Sequence, residues 1–421
     1  MNLHVIKQFR QKLLTIFSRG LVAVDGRSCV FSHLQDNPLP ERGIRVVAVG
    51  KAAPSMMQGV ISYLESLDKQ QQLLAGLVIT KQGYAGCFAD KRIEVLESDH
   101  PLPSERSLIA GQRLLDFVGR AATEDLLLFL ISGGTSALVE VLPENITIEQ
   151  LIKLNRWLLA NPWSIDRINL IRQSVSCIKG GKLLAYLNTE HCIQLTISDV
   201  AGNDLSVIGS GLLVKPDKNI SHSSIVLPDW VRQMQQSVRQ QKKLSPPCAV
   251  QQSIVADNAT AREAIKNYAS KNGLQVIRSE ELYGDVGTVS DKIARAITQG
   301  PVGLYIWGGE AVVDLPEQPG RGGRCQSMAL LLAEKLKGRD DFVLLAAGTD
   351  GSDGPGDAAG ALIDGMTIER GRQIGLDSSK EIMHANAGYY LAETGDLIDT
   401  GPTGTNVMDL VIAVKLSPTL A

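Results

Sequence analysis

Four aspartates, Asp350, Asp353, Asp357 and Asp364, stand among glycines in the stretch FVLLAAGTDGSDGPGDAAGALIDG, directly after a run apolar enough to be a buried strand. Two readings compete. Asp bonds its own backbone and Gly takes positive φ, so both are ordinary turn residues. Alternatively, like charges gathered in one short loop face a divalent cation, alone or carrying phosphates, and the cation relieves their mutual repulsion. The crowding favours the second reading.

Cations occur in matching settings. Lys51 follows the apolar run of VVAVGKAAP, and Arg324 closes GRGGR just before the helical stretch CQSMALLLAEKL. A positive charge at a helix start opposes the helix dipole, and an anionic partner would resolve the conflict. Arg321 and Arg324 flank two glycines, and a guanidinium offers fork-like contacts to phosphate or carboxylate. Lys179 in KGGK repeats the theme, with a structural role equally open. Small-residue loops such as SGGTSAL, starting at Ser132, are expected to lead into helices and to present backbone N–H groups to anions. His100 in ESDHPLPSE reads as a loop histidine that shapes its turn. Together, cations, anion-binding loops and carboxylates match the parts required for phosphoryl transfer.

These residues need a scaffold that brings strand ends together. RVVAVG, LLAGLVIT, LLLFLIS and CIQLTIS are near-continuous apolar runs separated by helical patterns, which predicts a parallel sheet covered on both faces with its ligands at the carboxyl ends of the strands. The chain turns polar between about Leu213 and Pro247, where a helix and a linker are expected. Beyond it CAVQQSIVA, LQVI, VGLYIW, AVVDL and FVLLAAG resume the alternation, and LYIWGGEAVVDL reads as a hairpin in a mixed sheet. The expected architecture is α/β with two α/β/α domains, an N-terminal Rossmann-like parallel sheet over 1–240 and a C-terminal mixed sheet over 241–421. At the start, Val5, Phe9, Leu13 and Ile16 keep helical spacing, which predicts an amphipathic helix rather than a targeting segment.

A chain of 421 residues with 44% hydrophobic content exceeds the size of one usual core, so two domains are the default. A net charge of −3 gives no general attraction to nucleic acid. The longest apolar runs have strand length, which argues against a membrane partner. Six scattered cysteines, with no paired spacing suited to zinc, read as reduced thiols and point to the cytoplasm. Nucleotide fingerprints fail: GxxxxGK[ST] is absent, and the GxGxxA string from Gly354 to Ala359 lies inside the aspartate loop.

In this order along the chain, GKAA, SDHPLP, SGGTSAL, IKGGKL, ISDVAGND, GGE, GRGGR and AAGTDGSDGPGDAAGA resemble the ATP-dependent glycerate 2-kinases with a MOFRL-type C-terminal domain, a family sometimes labelled hydroxypyruvate reductase. The resemblance implies transfer of the γ-phosphoryl of ATP, with Mg²⁺, to the 2-hydroxyl of D-glycerate, giving 2-phosphoglycerate. It implies that Lys51 and Arg324 are the transition-state cations and that Asp199 and Asp350 serve the metal or the substrate hydroxyl. Ser132, Gly133, Gly134, Thr135, Ser136, Lys179 and Gly180 would shape an anion pocket. Asn203, Glu310, Thr349, Asp353, Asn386 and Thr405 would complete the binding set. This chain departs from the family pattern at Gln173 and Ser174 in place of Lys-His, and at Ala311 in place of Thr. It departs again at Cys325 and Ser327 within the GGRNQE motif, and at Ala387 and Gly388 in place of Asp-Ser. The departures keep three alternatives open: another short hydroxy acid as acceptor, hydroxypyruvate reduction, or a paralogue that binds without turnover. The expected partner is a small hydroxy acid, and the chain would act as a monomer or homodimer.

Overall fold

The computed structural model describes residues 3–159, 161, 163, 165–214, 227–239 and 249–417. Two compact units divide the chain, one over Gly26–Ala256 and the other over Asp257–Ala421 together with Met1–Asp25.

In the unit Gly26–Ala256, six strands form one sheet: β1 Ile44–Val49, β2 Leu73–Lys81, β3 Ile93–Ser98, β4 Leu126–Ile131, β5 His191–Ile197 and β6 Val250–Ala256. All pairs are parallel and the order is β3-β2-β1-β4-β5-β6. The central strand LLLFLI is buried along its whole length, as a parallel strand covered on both faces must be. The helix Glu105–Gly119 begins at Ser104, whose side chain accepts the Arg106 N–H and whose own N–H is taken by Ser107, closing a reciprocal cap. The order reverses beside β1 and β4, which brings the ends of β1, β4 and β5 side by side.

Two expectations change here. CAVQQSIVA, assigned to the second domain, joins the first sheet as β6, where Val250–Ala256 pairs in parallel with β5. β3 was not expected: its sequence IEVLES carries charges along the sheet's outer edge, where solvent tolerates them.

The other unit carries β7 Val276–Glu281, β8 Gly284–Asp285, β9 Gly303–Gly309, β10 Ala311–Val312, β11 Phe342–Gly348, β12 Gly360–Asp364, β13 Leu397–Ile398 and β14 Asp409–Lys415. Six of them form a mixed sheet in the order β13-β12-β11-β14-β9-β7, in which β7 and β9 are parallel and the other pairs antiparallel. The expected LYIWGGEAVVDL hairpin is absent. Only Glu310 separates β9 from β10, too little chain for a hairpin turn, and β10 instead pairs in parallel with β8.

The amphipathic first helix is present as Leu3–Ala23, with Leu13, Ile16 and Phe17 fully buried. It belongs to the unit of the mixed sheet. Arg10 reaches Asp364 at 2.5 Å and Asp396 at 2.8 Å, and Arg370 contacts the same two acids at 2.9 and 2.6 Å. The expected boundary at 240/241 lies outside the described residues, and the compact units divide at Ala256/Asp257. The first strand after the polar stretch, β6, pairs with β5, which moves the division past it.

Candidate active site

At the rim of the parallel sheet, β1 is followed by Gly50-Lys51, β4 by Ser132–Ser136 and β5 by Ser198-Asp199. The first two loops are knitted together: Lys51 N–H donates to the Gly133 carbonyl at 2.9 Å, and Ala52 N–H to Ser132 Oγ at 3.1 Å. Gly50 makes this approach possible. Its φ is +128°, and a Cβ there would lie 2.1 Å from Ser132 Oγ. The Cβ position of Gly134 lies 3.3 Å from the His100 ring and 3.4 Å from Lys51 Cγ, so both side chains flank that glycine. Thr135 turns inward, its hydroxyl donating to the Val49 and Ser132 carbonyls at 2.9 and 2.7 Å. Asp199 and Asn203 lie on the half-exposed turn after β5, with Asn203 at φ +58°.

The anion-loop expectation is revised at two places. SGGTSAL enters only one turn, Thr135–Leu138, and KGGK enters a short 3-10 segment, Lys182–Tyr186, so neither has a helix long enough to concentrate a dipole. Lys179 is 3% exposed, and its ammonium contacts Glu140 at 2.5 Å and the Ser136 carbonyl at 2.7 Å. Burial pushes the Lys179 ammonium below its ordinary pKa, with Glu140 opposing. Glu140, which the sequence did not mark, also accepts the Ser176 hydroxyl at 2.5 Å. Ser136 meets Ser210 hydroxyl to hydroxyl at 2.8 Å. Gly180 N–H donates to the Ser210 carbonyl at 3.0 Å. Gln173 donates to the Ser206 and Ser210 carbonyls at 3.0 and 3.2 Å, while its Oε1 is buried without a hydrogen-bond partner among the described residues. Ser174 donates to the Ile171 carbonyl and accepts from Gln235.

The unit of the mixed sheet has its own polar rim. Asp409 opens β14 and lies across from Gly309 of β9 and Gly348 of β11, next to Glu310 and Thr349. Arg324 begins the helix Arg324–Lys335 and meets Asp409 in a fork, Nε to Oδ2 at 2.5 Å and Nη2 to Oδ1 at 3.0 Å. Its Nη2 also donates to Glu310 Oε1 at 2.7 Å. Burial opposes the Arg324 charge, but Asp409 and Glu310 outweigh it, and the guanidinium's pKa lies above its ordinary value. Nη1 has no hydrogen bond among the described residues.

The four aspartates do not form one cluster, which corrects the reading of them as a group. Asp350 is buried at the end of β11 and accepts the Ser352 N–H at 3.0 Å and its hydroxyl at 3.2 Å. Asp353 accepts the Cys325 and Gln326 N–H groups at 3.1 and 2.8 Å and so occupies the start of the Arg324 helix. Burial and the nearby Asp409 push Asp353 up to about 7, against the two amides and Arg324. Asp357 is exposed, and Asp364 ends β12, paired across the ladder with Val343 at the opposite end of β11 from Asp350. No group of three or more His, Cys, Asp or Glu suited to holding a metal occurs among the described residues.

The remaining binding candidates are mostly held internally. Thr349 donates to the Met408 carbonyl at 2.6 Å and accepts from Val407 N–H at 2.8 Å. Asn386 accepts the Arg321 N–H at 2.8 Å and donates to Glu381. Thr405 differs, since its hydroxyl is buried without a hydrogen-bond partner among the described residues. Among the departures, Ala311 and Ala387 are buried, Gly388 N–H donates to the Arg321 carbonyl, and Ser327 N–H to Gly323. Burial pushes the Cys325 thiol up. The Gly354–Ala359 string leads into the antiparallel strand β12, whereas a dinucleotide fingerprint must open a helix.

Comparison with known proteins covers both units. The domain of unknown function DUF4147 matches residues 12–242, and the MOFRL family matches residues 303–409. Glycerate 2-kinase of Pyrococcus horikoshii is 34% identical over 397 residues, covering 89% of this chain and 88% of that protein. An Agrobacterium vitis protein named provisionally as a hydroxypyruvate reductase is 32% identical over 418 residues, covering 95% of this chain and 93% of that protein. The crystal structure of glycerate kinase from Thermotoga maritima superposes with a TM-score of 0.80 at 30% identity, covering 97% of this chain and 100% of that one.

Proposed function

Because this chain belongs to the glycerate 2-kinase family, a family of phosphotransferases, we propose that it transfers the γ-phosphoryl of ATP to the 2-hydroxyl of D-glycerate, giving 2-phosphoglycerate. The observation that carries this reading is Arg324. Its guanidinium is fixed by two carboxylates on one side while both Nη1 donors stay unoccupied among the described residues. That geometry suits an arginine that receives charge on phosphoryl oxygens during transfer, where fixed donors need no reorganisation.

Lys51 is the second cation of the proposal, set by the Gly133 carbonyl at the end of β1. The Ser132–Ser136 loop, Gly180 and Asn203 line the same rim, and Thr349, Glu310, Asn386 and Thr405 frame the rim of the mixed sheet. Mg²⁺ takes one or two carboxylates and completes its shell with phosphate and water, so a ready-made cage of acids is not required. Asp350 and Asp199 fit that demand as single carboxylates at strand ends, and the ion would neutralise phosphate charge. Whichever of the two does not meet the metal would accept or orient the 2-hydroxyl proton. No described helix is long and apolar enough to cross a membrane. We place the enzyme in the cytoplasm, as a monomer or homodimer.

The test is purified protein with Mg-ATP and a panel of short hydroxy acids, following ADP release and the phosphorylated position by ³¹P NMR. D-Glycerate should be the best acceptor and carry the phosphate at carbon 2. A parallel sample with hydroxypyruvate and NADH or NADPH should show no reduction. Enzyme-dependent loss of nicotinamide absorbance, or phosphorylation confined to a different acceptor, would overturn the assignment.

A further inference from the structure

Asp409 was assigned no role from the sequence, yet it makes the closest contacts of the arginine on which the proposed function rests. We propose that Asp409 is a positioning residue for phosphoryl transfer, holding Arg324 in a fork that aims its Nη1 donors at the reacting group. The proposal rests on the kinase reading for its reaction but on this unit's geometry for its residue.

The backbone of Asp409 has little freedom. β14 is paired on both sides, with β9 and β11, and Asn258 Nδ2 donates to the Asp409 carbonyl at 3.1 Å and the Val407 carbonyl at 2.8 Å. Both cross-strand neighbours of Asp409 are glycines, Gly309 and Gly348. Side chains directly opposite each other on a sheet lie closest, so two missing side chains leave room for a carboxylate and the guanidinium it meets. The carboxylate is 4% exposed, while 37% of the arginine side chain is exposed. The fork is therefore anchored at its buried end and open at the other.

Of the five N–H donors of Arg324, Asp409 takes one from Nε and one from Nη2, and Glu310 takes the second from Nη2. Two remain, both on Nη1. A single acceptor would leave the guanidinium plane free to rotate about the remaining bond, but two parallel bonds define the plane. An amide at position 409 offers only one acceptor, and its NH₂ would face an arginine donor. Asp409→Asn therefore keeps the shape and removes the definition of the plane.

The experiment is a double-mutant cycle on kcat, with KM for ATP and for D-glycerate and thermal melting measured in parallel. Asp409→Asn alone should lower kcat at least 30-fold with KM for ATP within threefold of wild type. In the Arg324→Lys background, which already lacks the fork, the same change should lower kcat less than threefold. Equal factors in both backgrounds, or a kcat within threefold of wild type for the single variant, would overturn the proposal. If Asp409→Asn fails to fold, Glu310→Gln tests the same clamp at a half-exposed side chain. It should cost three- to tenfold in wild type and less than twofold in the Arg324→Lys background, and equal factors would again overturn it. A readout without turnover separates this proposal from the function itself. The Arg324 Nε–H resonance, assigned by its loss in Arg324→Lys, should be protected from solvent exchange in wild type. An unprotected Nε–H defeats the fork even in an active enzyme. A protected one in a protein with no kinase activity leaves the fork standing and defeats the kinase reading.

Discussion

Arg324 and Lys179 are both cations beside glycines, and what surrounds them predicts opposite responses to substitution. Arg324 presents unoccupied donors, so Arg324→Lys, which keeps the charge and loses the fork, should cost about 2–4 kcal/mol in the transition state, or roughly 30- to 1000-fold in kcat, with melting nearly unchanged. Steady-state kinetics with the best acceptor checks it, and a loss under threefold removes Arg324 from the reacting set. Lys179 is buried against Glu140, so Lys179→Met leaves an uncompensated carboxylate and should destabilise the protein by about 3–5 kcal/mol. Urea unfolding of the purified variant measures this. An unchanged midpoint with a raised KM for ATP would instead return Lys179 to the binding set. The difference between the two was not legible in KGGK and GRGGR, because their carboxylate partners lie far off in sequence. Asp409 is 85 residues from Arg324, and Glu140 is 39 from Lys179. Each is a lone acid in an apolar run, ALVEVLP or NVMDLVIAV, and a local pattern carries no sign that such an acid is a counter-ion.

Elements with a single repeating pattern were the legible ones. β1, β2, β4 and β5 are largely apolar, as strands of a covered parallel sheet must be, whereas β3 at the edge mixes apolar residues with glutamates. The helix Arg324–Lys335 shows what pattern alone leaves out. Its first free amides go to Asp353, so the helix start expected to face an anionic ligand is capped from within. That cap titrates. Asp353 has a folded pKa of about 7 against an unfolded value near 3.9, so the folded state holds the proton more tightly. Its contribution to stability is complete below about pH 4 and is lost as pH rises through about 7. Wild type should therefore lose about 2–3 kcal/mol relative to Asp353→Asn between pH 5 and pH 8. Urea midpoints of both proteins at the two pH values provide the comparison, and parallel profiles would show that Asp353 does not titrate there.

At the scale of the whole molecule, the division into two α/β units was legible from length and from the polar stretch, but the membership of the first helix was not. An amphipathic stripe says that a helix must pack, not on what. Leu13, Ile16 and Phe17 are buried in the unit of the mixed sheet, and Arg10 joins the Asp364, Asp396 and Arg370 network there. Deleting residues 1–25 should leave Asp364 and Asp396 one cation short and uncover the apolar surface beneath the helix. We expect the deletion to unfold the mixed-sheet unit first, seen as early exposure of Trp307 fluorescence, while Arg10→Ala should give a milder shift of the same transition. Loss of the parallel-sheet unit first would contradict this packing. The same arrangement sets a schedule during synthesis. The helix Leu3–Ala23 leaves the ribosome ahead of about 230 residues that belong to the other unit, and its own strands follow only after them. At about 5–20 residues per second, that gap lasts roughly 10–50 s. For that interval a stripe of leucine, isoleucine and phenylalanine has no native partner, because every other element of its unit begins beyond Ala256, and a nascent-chain chaperone has time to cover it.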